Sequence, residues 1–176
     1  GTPSTTAAGG NVAIDADSVD ISGGSHVSSQ ASRSDAGKVT ITANTLILDN
    51  GSIATNTSSE GRAGEVVLNV GTVSLSNGAK INSSTSESGR AGDITMNVGR
   101  LTLANHSEIT NSSSGTVANA GNAGNIITIT TTSNPVSLAS GSRITSSTTG
   151  AGNAGQVIVT TPALSLNDAT ITTSTS

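Results

Sequence analysis

The chain has 176 residues, a net charge of −4, no aromatic residue and no cysteine, with 21 glycines and only 10% charged residues. The negative balance and the absence of a basic patch exclude the usual electrostatic route to nucleic acid or an anionic membrane, and no apolar run is long enough to span a bilayer as a helix. Lacking Phe, Tyr and Trp, the sequence has to fill a core with aliphatic residues alone, which requires that they be aligned and not scattered.

Alignment is what the sequence provides. After a lead-in at Gly1 to Ala8 (GTPSTTAA), expected to be flexible, residues 9–176 form one repeat domain. Its six copies open at Gly9, Ala36, Ala63, Ala91, Ala123 and Ala154, with periods of 27 to 32 residues. Each copy alternates apolar and polar residues with a period of two. The apolar positions run Val12, Ile14, Val19, Ile21 and Val27 in the first copy, and Val39, Ile41, Leu46, Leu48 and Ile53 in the second. The third has Val66, Leu68, Val70, Val73, Leu75 and Ile81, and the fourth Ile94, Met96, Val98, Leu101, Leu103 and Ile109. Ile127, Ile129, Val136, Leu138 and Ile144 continue the pattern, as do Val157, Val159, Leu164, Leu166 and Ile171.

This alternation, rich in β-branched residues, predicts short half-buried strands, three per copy. Strands so short bury their inward side chains only if the chain coils and stacks copy on copy. The expected fold is therefore all-β, a single-stranded parallel β-helix of about six coils.

Taken in order, the first copy carries Asp15, Asp17 and Asp20, of which Asp15 and Asp17 share a strand face. Calcium is one reading. Solvated outward positions is the other, and the glycine-rich nonapeptide of calcium-binding β-rolls is missing. In the second to fourth copies Asn50-Gly51, Asn77-Gly78 and Asn105-His106 follow the second strand by two residues, which predicts turns with positive φ. Stacked, Asn50, Asn77 and Asn105 are expected to form a side-chain ladder along the axis.

A glycine follows each opening residue, at Gly10, Gly37, Gly64, Gly92, Gly124 and Gly155. Such a column implies either a left-handed backbone or a packing too close for a Cβ. Beside it, Lys38, Glu65 and Asp93 are expected to stack, with Arg62 offsetting the acidic pair and Arg90 at the equivalent position.

The segments NTSSEGR, SSTSESGR, NSSSGTVANAGN and SSTTGAGN read as Ser/Thr-rich loops after the third strand, where copy length varies. The loop of the fourth copy, Asn111 to Asn122, is the longest. Its Asn111, Ser112, Ser113, Asn119 and Asn122 are the first candidates for a partner-binding edge. By this reading Leu103→Asp abolishes soluble folding and Ser113→Asp is tolerated.

The recurring G-x-AG-x-[IV]-x-[ILM], followed by V/L-x-L and NG-[SA]-x-I-x-S across Gly9 to Thr173, resembles the repeats of filamentous-haemagglutinin-type exoproteins of two-partner secretion systems. The resemblance implies a right-handed helix, export through an outer-membrane transporter and an extracellular place on a Gram-negative cell surface. It also implies a part in adhesion, aggregation or contact-dependent behaviour, biofilm formation among them. The family's amino-terminal secretion domain, with its NPNG-type motif, has no counterpart here, so the resemblance implies a repeat-region piece of a longer chain.

Two kinds of function follow. One is a rigid, non-catalytic stalk or adhesive segment of a surface filament, whose partners are host or neighbour cell-surface molecules. The other is a fibre subunit whose partner is itself, stacked head to tail through open ends. A carbohydrate-active β-helix enzyme is disfavoured because no aromatic platform exists and the carboxylates do not converge. His26 and His106 fall at different positions of the copy, and no GxSxG elbow accompanies the serines. An ice-binding face is disfavoured because Ala13, Thr40, Val67, Thr95, Thr128 and Ile158 make no threonine row. No cofactor, metal or catalytic residue is implied.

Overall fold

Alternating β-branched residues hold the backbone extended, and the small residues between them let it turn without bulk. The result, in a computed structural model that describes residues 8–58, 60–115, 121–124, 126–149 and 152–176, is an all-β solenoid of about six turns. Its strands are β1 (Val12–Ser22), β2 (His26–Ala31), β3 (Val39–Asp49), β4 (Ser52–Thr57), β5 (Val66–Ser76) and β6 (Lys80–Thr85). They continue with β7 (Ile94–Leu103), β8 (Glu108–Ser113), β9 (Ile126–Thr131), β10 (Val136–Thr148), β11 (Gln156–Thr160) and β12 (Leu164–Thr175). The strand pairings that join successive turns are all parallel. Of the lead-in expected over residues 1–8, all but Ala8 lies outside the described residues.

Registration is one residue on its counterpart in the next copy. Val12, Val39, Val66, Ile94, Ile127 and Val157 form one column. Ile21, Leu48, Leu75, Leu103, Leu138 and Leu166 form another, interrupted nowhere. Val27, Ile53, Ile81, Ile109, Ile144 and Ile171 form a third on the opposite wall. Within copies two to five these side chains are buried completely, whereas the outermost coils cover theirs on one side only. Leu164 and Leu166 are each 46% exposed for that reason.

The expectation of three separate strands per copy needs correction. In the first four copies the first two strands run on as one, because the corner at Asp17, Asn44 and Gly71 interrupts the pairing at a single residue without a turn. Pro135 and Pro162 break this continuity in the last two copies, since proline cannot donate to the ladder. There the second and third strands merge instead, as β10 and β12. In β10 the merger passes through Ser140 and Gly141, with φ of 54° and 75°, and the register shifts between Ala139 and Ser142.

A second correction concerns the Ser/Thr-rich segments. Asn56-Thr57, Ser83–Thr85, Asn111–Ser113 and Ser146–Thr148 belong to β4, β6, β8 and β10, not to loops. Their hydroxyls have inward positions to occupy, which composition alone disguises.

Candidate functional site

The corner where each copy opens is the most constrained part of the coil. A Cβ on Gly37 would lie 2.3 Å from the Gly10 carbonyl oxygen, and one on Gly64 would lie 1.9 Å from that of Gly37. Gly92 and Gly124 meet the preceding glycine's oxygen at 2.0 Å each. None of these four has a positive φ. Close approach of backbones, and not a left-handed conformation, is therefore what demands glycine here.

Facing this corner from across the coil is a column of buried hydroxyls that sequence reading missed. Ser29 Oγ donates to Gly10 O at 2.7 Å and accepts from Gly37 N at 2.9 Å. Ser83 Oγ makes the equivalent pair with Gly64 O and Gly92 N, at 3.0 and 2.8 Å. Thr55 Oγ1 donates to Gly64 O at 2.6 Å, and Ser146 Oγ accepts from Gly155 N at 2.9 Å. The legible signal was Ser or Thr two residues after Val27, Ile53, Ile81 and Ile144, in step with the inward alternation.

Asn111 stands in this column and breaks it. Its side chain is fully buried, yet neither its amide nitrogen nor its oxygen has a hydrogen-bond partner among the described residues, and Ser113 Oγ, two residues on, has none either. The expectation that Asn111 and Ser113 present a partner-binding edge is thus overturned: both point inward in β8. Ser112 between them is half-buried, Asn119 lies outside the described residues, and Asn122 is exposed. Asn122 Oδ1 accepts from Asn153 N at 2.8 Å.

At the asparagine turns the positive φ angles are present, 53° at Asn50, 56° at Asn77 and 53° at Asn105. The expected ladder is only partly formed. Asn105 Nδ2 donates to Asn77 Oδ1 at 3.1 Å, but Asn77 Nδ2 donates to the Asp49 carboxylate and not to Asn50. A carboxylate within reach is the stronger acceptor. Ser76 Oγ donates to the same Asp49 oxygen at 3.1 Å.

Charges gather along the opening corner. Lys38 and Glu65 pair at 3.1 Å, and Asp35 Oδ1 accepts from Arg62 N at 2.7 Å. Asp93 Oδ1 accepts from Ile126 N at 3.1 Å. Arg62 forms no ion pair among the described residues, so it does not offset the acidic pair by direct contact. It lines a groove of about 190 Å³ with Glu65, Arg90 and Asp93. Arg90, Asn122, Asn153 and Gln156 line the next, of about 400 Å³. A second charged set, Lys80, Glu108 and Arg143, spans three turns, with Glu108 joining both cations and leaving only 19% of its side chain exposed.

Asp15, Asp17 and Asp20 are all exposed, and Asp17 accepts from Asn44 Nδ2 at 3.3 Å. Among the described residues no three of His, Cys, Asp and Glu come together as metal ligands. His26 stacks in register with Ser52 and Lys80, while the His106 ring covers Gly141 on the other turn. No family model, curated protein or solved structure matches this chain.

Proposed function

We propose that the chain is a rigid structural segment of an extracellular bacterial surface filament, a rod that bears adhesive contacts and performs no chemistry. The observation that carries this reading is the uninterrupted aliphatic column running through six copies in fixed register. Each copy is held to the next by backbone hydrogen bonds along both walls, so load applied along the axis is shared by many parallel bonds. Copy length varies at several corners, after β8, between β9 and β10 and at the asparagine turn, and the columns keep their register through each of them. The resemblance of the repeat to filamentous-haemagglutinin-type exoproteins supports the extracellular placement and export through an outer-membrane transporter.

The adhesive surface is assigned to the opening corner, where Arg62, Arg90, Asn122 and Asn153 border the two grooves. Cell-surface molecules are the partners that such exposed polar side chains suit. Beads coated with the folded chain should adhere to cells, and beads coated with the unfolded variant Leu103→Asp should not. Equal adhesion by the two would remove the adhesive half of the proposal. Pulling on Gly1 and Ser176 should extend the chain in coil-sized steps, and extension in a single low-force event would remove the rod.

A further inference from the structure

Two of the asparagine corners carry an Asn-Gly pair, Asn50-Gly51 and Asn77-Gly78, and the two pairs are held differently. Asn77 is bound at both ends of its amide. Its Nδ2 donates to Asp49 Oδ1 at 2.5 Å, its Oδ1 accepts from Asn105 Nδ2 at 3.1 Å, and the N–H of Gly78 donates to Asn105 O at 2.8 Å. At the third corner the N–H of His106 is bound likewise, to Ser140 O at 2.9 Å. Asn50, by contrast, is exposed, and neither its side-chain amide nor the N–H of Gly51 has a hydrogen-bond partner among the described residues.

A missing residue accounts for the difference. Asp49 lies in register with Ser76 and Ser52 with Lys80, so the corner is Asn50-Gly51 in one copy and Asn77-Gly78-Ala79 in the next. In the longer corner Ala79 N closes the turn on Ser76 O at 3.1 Å, and Gly78 N is left to reach the following copy. Gly51 takes the place of Ala79, since Lys80 N donates to Gly51 O as Glu108 N donates to Ala79 O. Its own N–H finds neither acceptor. A Cβ on Gly51 would lie 2.1 Å from Ile21 O, so the position admits only glycine, the residue that least obstructs attack on the side chain before it. The short corner thus sets an unbound backbone nitrogen directly after an unbound, solvent-exposed carboxamide.

We propose that Asn50 is a site of spontaneous deamidation, with solvent water as the co-reactant. Gly51 N gives up its proton and bonds to Asn50 Cγ, the Cγ–Nδ2 bond breaks, and ammonia leaves with that proton, closing a cyclic imide. Water then opens the imide at Cγ to give aspartate, or at the main-chain carbonyl carbon to give isoaspartate. Either product adds one negative charge beside Asp49 and takes the formal net charge from −4 to −5. The isoaspartyl product also diverts the main chain through the side-chain carbons, at a corner where Gly24 N donates to Asn50 O at 2.8 Å. Asn77 stays an amide because both its carboxamide and its nucleophile are occupied. The site is independent of the rod reading, since it depends on one corner and not on what the filament does.

Peptide mapping of the folded chain, aged at mildly alkaline pH, tests the site. Asn50 should convert about tenfold faster than Asn77, the factor in rate that one ordinary hydrogen bond supplies. The rate at Asn50 should rise with pH, because the Gly51 nitrogen reacts deprotonated. In denaturant the difference between the two pairs should vanish. Asn105→Gly keeps the left-handed corner but removes the donor to Asn77 Oδ1, and should quicken conversion at Asn77 while leaving Asn50 as in wild type. By isoelectric focusing, Asn50→Gly should lack the acidic form that folded wild type accumulates. Conversion at Asn50 no faster than at Asn77 in the folded chain would overturn the proposal, as would an Asn50→Gly chain that turns acidic as quickly as wild type. A difference that persisted in denaturant would belong to the local sequence and overturn the role of the corner.

Discussion

Gly64 and Asn111 mark the two extremes of fit between residue and position. At Gly64 a Cβ would sit 1.9 Å from the Gly37 carbonyl oxygen, a backbone atom with no freedom to move aside. Gly64→Ala should therefore cost about 3 kcal/mol in a denaturant titration, the upper end of what overpacking usually costs. Asn111 has the opposite fault, a buried amide whose polar atoms are unsatisfied among the described residues. Asn111→Ser should restore the hydroxyl that Ser29, Ser83 and Ser146 offer to the glycine N–H, here that of Gly124, and stabilise the chain by about 1 to 3 kcal/mol. An unchanged midpoint would mean that the hydroxyl column has no such role in this copy. Neither property was fully legible in the sequence. The glycine column was visible as a repeat, but its cause needed the distance between backbones. Asn111 looked like a loop residue because polar residues near a variable segment resemble surface, and only register reveals that it faces inward.

The strand as an element repeats that lesson. Alternation identified almost every aliphatic side chain of the core, since hydrophobic patterning and strand geometry share the period of two. It failed at the ends of β4, β6, β8 and β10, where the inward residues are Ser, Thr and Asn and the hydrophobic signal stops while the strand continues. The consequence for mutagenesis is a reversal at Ser113, which is 1% exposed. Ser113→Asp should behave like Leu103→Asp and give insoluble or unfolded protein, because each buries a carboxylate with no cation nearby. Ser112→Asp, on the outward face of the same strand, should melt within about 0.5 kcal/mol of wild type. Soluble yield and thermal melting distinguish these outcomes. If Ser113→Asp melted like Ser112→Asp, β8 would have the wrong face inward. Along the outer wall, Glu108 joins Lys80 and Arg143 across three turns. Its partners are more than half exposed, so Glu108→Gln should lower stability by no more than about 1 kcal/mol.

At the scale of the molecule, stability is a sum over neighbouring coils, because each copy touches only those directly before and after it. Inner coils have two such interfaces and outer coils one, and the burial of the aliphatic columns follows that count: complete at Val39, Val66, Ile94 and Ile127, partial at Val12 and Val157. Opening should therefore begin at the ends and move inward, with local free energies rising toward the middle of the stack. Amide hydrogen exchange reads this gradient. In dilute solution the amides of β5 should exchange most slowly and those of β11 most quickly. Uniform exchange along the chain would mean that the coils unfold as one unit, contradicting the nearest-neighbour picture on which the rod depends.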